Sequence, residues 1–312
     1  MATEAWDRLA ERLRNWGRWG PEDERGTLNH IGPEALRRGA GAVRQGKLFA
    51  LGLNYGSNGP QIGTFRSNPV KYVTDLFTPI AEGSDVQYCD DVIHMCLQAS
   101  TQWDAFAHMH YGGQLYNGLD ARSHVDARHG AHRCGIEHLA LPGISSRGVL
   151  LDIARLKGME MLPRTYVITP DDMNAACEAA GVRIEKGDII LVRTGMIRLF
   201  TETGDAHAFH GTQAGLGTDV VEWLHDHDVA AVAADNMAVE ALGIEPDPHY
   251  DVPLPVHMLA LRDMGMPLGE IFNLEALAAD CAADKQYDFL LSAPPLPVTG
   301  GFGSPANPQA IK

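Results

Sequence analysis

Apolar residues recur along this chain in short continuous runs, not in long amphipathic stretches. Residues 148–154 (Gly-Val-Leu-Leu-Asp-Ile-Ala), 187–195 (Gly-Asp-Ile-Ile-Leu-Val-Arg-Thr-Gly) and 229–235 (Val-Ala-Ala-Val-Ala-Ala-Asp) each have the length and composition of a strand buried on both faces. Helical signals separate them. Thr169 is an N-cap followed by Pro170 at the first helical turn, leading into 173–180 and stopped by Gly181. Residues 219–227 place Val220, Trp223 and Leu224 on one inward face, and 253–261 and 274–282 read as two further helices.

The first half is different. Residues 4–16 carry Trp6, Leu9, Leu13 and Trp16 at helical spacing, ended by the breakers from Gly17 to Pro21. A turn at 26–31 and a short helix from Gly32 follow. Strands are predicted at 46–53, 70–76 and 86–97, with a Gly, Asn and Pro-rich loop over 54–68. The tail from Ala293 contains five Pro and reads as an extended arm. No repeat or linker interrupts this order. It predicts one α/β domain, residues 1–312, with a mixed β-sheet core and flanking helices, an N-terminal helical arm (1–20) and a Pro/Gly-rich tail (293–312).

Composition narrows the partners. The 312 residues are 45% hydrophobic, enough for a full core, and the net charge of −15 argues against nucleic acid or an anionic membrane. Five scattered cysteines (Cys89, Cys96, Cys134, Cys177, Cys281) form no C-x-x-C pair, so neither a disulfide framework nor a cysteine zinc site is indicated. The first residues lack the basic and apolar regions of a secretory signal, and no apolar run approaches the roughly 20 residues that span a bilayer. The expectation is a cytoplasmic protein acting on a small molecule.

Candidate chemistry concentrates in one run, Ser100-Thr101-Gln102-Trp103-Asp104-Ala105-Phe106-Ala107-His108. Asp104 and His108 lie four residues apart, and a carboxylate there either orients the imidazole or shares a metal with it. Trp103, Tyr111, Tyr116 and Asn117 beside them are candidates for an aromatic, substrate-binding wall. Other polar groups weigh less. His225 and His227 diverge on a helix, Asp235-Asn236 ends a buried strand, and His124, His129, His132, His207 and His210 sit in loops expected near the pocket. Neither a G-x-S-x-G elbow nor a glycine-rich phosphate loop is present.

These residues resemble the cyclase family of metal-dependent hydrolases, which includes bacterial kynurenine formamidase and isatin hydrolase. Its signature, H-x-G-T-H-x-D-x-P-x-H, lays its Asp on Asp104 and its final His on His108. The stretch from Trp19 to Asn29, the Gly187–Gly195 strand, His257-Met258-Leu259-Ala260-Leu261 and Glu270-Ile271-Phe272-Asn273-Leu274 resemble further family segments in order. The first two signature His positions hold Gln98 and Gln102, and the Pro holds Phe106. The resemblance implies a hydrolase of a small cyclic or aryl amide or lactam, with His108 as acid/base and His257 as second ligand or base. The implied metal ligands are Asp104, Gln102, Gln98, His257 and Glu270, with Phe272 competing for the closing Glu position. Amide oxygens and a carboxylate suit Mn²⁺ better than Zn²⁺. Two rivals stay open: a metal-independent lyase or cyclase using Asp104 and His108, and a non-catalytic small-molecule binding protein. The family resemblance also implies a homo-oligomer, dimer or tetramer, with the N-terminal helix and the Pro-rich tail as assembly arms.

Overall fold

The computed structural model describes residues 3–245 and 249–312. Among the described residues fifteen strands run in chain order: β1 (Leu48–Ala50), β2 (Val70–Pro79), β3 (Gln87–His94), β4 (Gln102–Asp104), β5 (Val125–Asp126), β6 (Gly130–Ala131), β7 (Ser145–Asp152), β8 (Val167–Ile168), β9 (Ile189–Arg193), β10 (Gly215–Leu216), β11 (Ala231–Ala234), β12 (Leu268–Glu270), β13 (Asp288–Ser292), β14 (Gly303–Pro305) and β15 (Gln309–Ile311). Nine form one sheet in the order β1-β15-β13-β7-β9-β11-β12-β4-β14. Its centre, β7-β9-β11-β12, is parallel, and antiparallel strands extend it on both sides. This is the mixed α/β sheet that the sequence predicts.

The three apolar runs become β7, β9 and β11, and every residue of β9 and β11 is buried. Burial on both faces removes the selection for alternating polarity, which is why these strands read as continuous apolar runs. The helix Pro170–Ala180 starts with a reciprocal capping box between Thr169 and Asp172 and ends at Gly181 in the left-handed conformation, φ 64°. At the strand ends, Asp235 accepts hydrogen bonds from Thr194 N, Thr194 Oγ1 and Gly195 N at 2.8, 2.6 and 2.7 Å. Arg193 is buried between Asp152 (2.9 Å) and Glu275 (2.7 Å). Asp235 therefore joins β9 to β11 and is a structural carboxylate.

Two elements depart from expectation. The tail from Ala293 is no free arm: β15 inserts between β1 and β13, and β14 pairs with β4. Pro305 is accommodated because β14 is the last strand of the sheet, where a missing N–H breaks no ladder. Strands β2 and β3 do not flank the site loop within the sheet; they pair only with each other, as a bulged hairpin standing off the body.

The N-terminal helix Glu4–Leu13 packs on the same chain, burying Trp6, Ala10 and Leu13. Behind it, Trp16 Nε1 donates to Arg262 O (2.8 Å), and the Asn117 amide binds Gly17 N (2.7 Å) and Gly20 O (3.0 Å). No helix among the described residues is long and apolar enough to cross a membrane.

His30 lies buried against this arm, edge-on to Trp19 and 3.2 Å from Asp228. Burial pushes its imidazole from the ordinary 6.5 down to about 4, against the pull of Asp228. Between those values the unfolded chain binds a proton that the folded chain refuses, so stability falls as pH drops from 6.5 towards 4. The stability advantage of wild type over His30→Gln is expected to shrink between pH 7 and about 4.5, measured by urea unfolding. A constant difference contradicts the assignment.

Candidate active site

Strand alternation sets the site. Along β4, Gln102 and Asp104 point to one face and Trp103 to the other. On one side, β12 places Glu270 directly opposite Gln102, and the Gln102 amide donates to the Glu270 carboxylate. On the other, Gly303 of β14 faces Asp104, where a side chain would meet Gln98 Nε2 at 2.7 Å and Trp103 O at 2.9 Å.

His257 enters from the short helix Pro255–His257. Its Nε2 lies 3.2 Å from Glu270 Oε1 and 3.7 Å from Asp104 Oδ2, while Nδ1 is hydrogen-bonded to Glu240. The Glu240 carboxylate also accepts the backbone N–H of Val256 (3.3 Å) and His257 (3.0 Å), fixing the turn that presents the ring. His108 Nε2 lies 3.9 Å from Asp104 Oδ1, and its side chain reaches solvent. Asp104, His257 and Glu270 are all buried, with one donor atom from each within 4.8 Å of the others.

The electrostatics of this cluster are unbalanced. Both Asp104 oxygens and Gln102 Oε1 are buried without a hydrogen-bond partner. Burial pushes the Asp104 carboxyl up, but His108 and His257 outweigh it and hold it below its ordinary value. Burial and then Asp104 push Glu270 up. Burial opposes the charge on His257, yet Asp104, Glu240 and Glu270 raise it well above the ordinary imidazole value. Three carboxylates face one guanidinium, that of Arg66, 3.9 Å from Glu270. A divalent cation beside a neutral His257 would answer the same carboxylates that otherwise hold a proton on the ring.

The backbone around these residues is strained. Val239, Leu254 and Ile271 adopt φ of 60°, 48° and 58°, beside Glu240, Pro255 and Glu270. For β-branched Val and Ile that conformation costs about 1–3 kcal/mol each, which surrounding packing must offset.

A cavity of about 330 Å³ opens onto His108, His257 and Glu270, and Arg66, Met109 and Met237 contribute to its walls. The structure thus brings together Asp104, Gln102, His108, His257 and Glu270. Phe272, the competitor for the closing carboxylate, packs on Trp103 in the core. Gln98 lies beside Gly303, one strand from Asp104.

The expected aromatic wall is not there. Trp103 faces away from Asp104 and donates to Ala293 O (2.8 Å). Tyr111 binds Asp263 and stacks on Trp6 and Arg262. Tyr116 is fully buried, donates to Asp23 (2.9 Å) and packs on Phe106. Asn117 holds the N-terminal arm. All four hold the fold together and none lines the cavity. His210 does line it, whereas His124, His129 and His132 do not. Sequence reasoning missed Glu240, Arg66 and Gln61; no motif marks them.

The Cyclase family model matches residues 58–241. No curated protein matches the chain. Among solved structures, one described as a novel cyclase superposes with a TM-score of 0.88 at 40% identity, covering 97% of this chain and 99% of that one. An isatin hydrolase bound to the product analogue thioisatinate superposes at 0.62 with 19% identity, over 90% of this chain and 99% of that one. Isatin hydrolase A from Ralstonia solanacearum gives 0.60 and 19%, over 85% and 91%. The last two share the fold, and the family match together with the 40% identical structure shows that this chain belongs to the cyclase family.

Proposed function

We propose that this protein hydrolyses the C–N bond of a small cyclic or aryl amide, of the lactam or formamide type, with a divalent cation held by Asp104, His257 and Glu270. The observation that carries this reading is the Asp104 carboxylate, buried with no hydrogen bond to either oxygen. Solved isatin hydrolases of the same fold support a cyclic amide as substrate class.

The donor set is two carboxylates, one imidazole and the amide oxygen of Gln102, with Gln98 close behind. Such an oxygen-rich set suits Mn²⁺ better than Zn²⁺. A divalent ion there supplies Lewis-acid polarisation of the carbonyl and a water of lowered pKa. Glu240 holds Nδ1–H of His257, which leaves Nε2 as the ligand atom. His108 borders the cavity, beside but not hydrogen-bonded to Asp104, so its Nε2 is free to carry a proton. When water adds to the carbonyl and the C–N bond breaks, the departing nitrogen needs that proton. Gln61 and Arg66 offer polar contacts in a cavity otherwise lined mainly by apolar side chains, as a small planar substrate requires.

His108→Ala is expected to lower turnover of an aryl formamide or lactam by on the order of 10²-fold or more without a change in melting temperature. A chelator is expected to reduce wild-type activity and Mn²⁺ to restore it. Full activity in a rigorously metal-free sample would move the assignment to a metal-independent lyase or cyclase, and substrate binding without turnover to a binding protein. Glu240→Gln is expected to weaken Mn²⁺ binding by about 10–100-fold in isothermal titration, because the carboxylate that accepts from His257 Nδ1 sets the ring. Unchanged affinity would remove Glu240 from the site.

The chain is also proposed to act as a homo-oligomer. The β2–β3 hairpin exposes ten large apolar side chains between Val70 and Ile93, among them Leu76 (63% exposed) and Phe77 (66%). A lone two-stranded hairpin is marginal in water, and its acidic residues Asp75, Glu82, Asp85, Asp90 and Asp91 disfavour an anionic surface as cover. A second copy is the simplest cover, since closed symmetric self-association needs only one such patch. Tyr72 and Val92 are cross-strand partners on this hairpin. The double variant Tyr72→Glu, Val92→Glu is expected to sediment as a monomer where wild type sediments as a dimer or tetramer. A monomeric wild type contradicts the proposal.

A further inference from the structure

A second group of metal-ligating side chains lies apart from the cavity. Asp126, His129 and His132 sit on the tight β5–β6 hairpin, all exposed, with one donor atom from each within 4.8 Å of the others. The Asp126 carboxylate divides its work. Oδ1 accepts the backbone N–H of Arg128 (2.7 Å) and His129 (2.8 Å), which holds the turn. Oδ2 faces His129 Nδ1 at 3.2 Å and His132 Nε2 at 2.6 Å. Both rings converge on that one oxygen.

These separations are close to those of a metal shell. Ligand atoms about 2.0–2.2 Å from a common ion stand roughly 3–3.5 Å apart, and the three donor atoms here lie within 4.8 Å of one another. We infer that Asp126, His129 and His132 form a surface site for a borderline divalent cation such as Zn²⁺, separate from the Asp104 cluster. Two imidazoles and one carboxylate favour such an ion, and the remaining coordination positions face water.

The hairpin is positioned to transmit binding to the fold. Ala131 N donates to Gly300 O (2.9 Å), and His132 N to His124 O (2.8 Å). Gly130 lies so close that a side chain on it would meet Gly300 O at 2.2 Å. Residue 300 leads into β14, the strand beside Asp104. An ion here would cross-link the hairpin whose backbone holds that segment and would stabilise the folded chain by mass action.

The test uses the full chain stripped of metal, with ZnCl₂ as probe. Glu270→Gln protein, disabled at the Asp104 cluster, is expected to bind one equivalent of Zn²⁺ in isothermal titration and to gain melting temperature on binding. His129→Ala, His132→Ala in that background is expected to lose both effects. Asp126→Asn, which keeps the turn's acceptor oxygen, serves as the second variant, and is expected to weaken Zn²⁺ at least tenfold. Zn²⁺ binding and stabilisation that persist unchanged in both variants, or are absent from Glu270→Gln protein, would overturn the site. Neither result depends on whether the Asp104 cluster holds an ion.

Discussion

The site is organised around one carboxylate that the fold buries without satisfying. Asp104 lies at the junction between the parallel centre of the sheet and its antiparallel edge, where β12 and β14 close on it from either side. Burying a carboxylate whose nearest imidazoles stand 3.7 and 3.9 Å away, beyond hydrogen-bond reach, is expensive, and proteins retain one where a cation or a proton is meant to answer it. Around Asp104 the chain spends further stability: Val239 and Ile271 at positive φ, and three carboxylates crowding one imidazole. The central feature is therefore a concentration of buried carboxylates on which His257 and Gln102 converge.

Much of the scaffold was legible because its physics is local. Runs such as Ile189–Arg193 and Ala231–Ala234 show burial on both faces directly in composition. The helix from Pro170 carries its own start and stop signals. Asp104, His108, His257 and Glu270 were legible through family-like segments; an unbroken strand would put Glu270 and Phe272 on one face, but β12 ends at Glu270 and Ile271, at φ 58°, turns Phe272 into the core.

What could not be read was long-range. Glu240 reaches His257 from a loop with no periodicity, and Arg66 reaches Glu270 across more than two hundred residues of chain. The aromatic wall failed for a reason available in the sequence. Once Gln102 and Asp104 share a face of a strand, Trp103 must occupy the other. Tyr116 and Asn117 were claimed by the N-terminal arm, which no local pattern pairs with them. The tail failed because Pro-rich composition hides short edge pairings, and β14 needs only three residues to cover β4.

The central claim is that a cation, not a proton, balances Asp104. Anomalous scattering from crystals of the protein grown with Mn²⁺ addresses it directly. The account predicts one strong peak within coordinating distance of Asp104, His257 Nε2 and Glu270, with Glu240 still bound to Nδ1. An ordered site with no anomalous peak, and the His257 imidazole bridging the carboxylates instead, would contradict it.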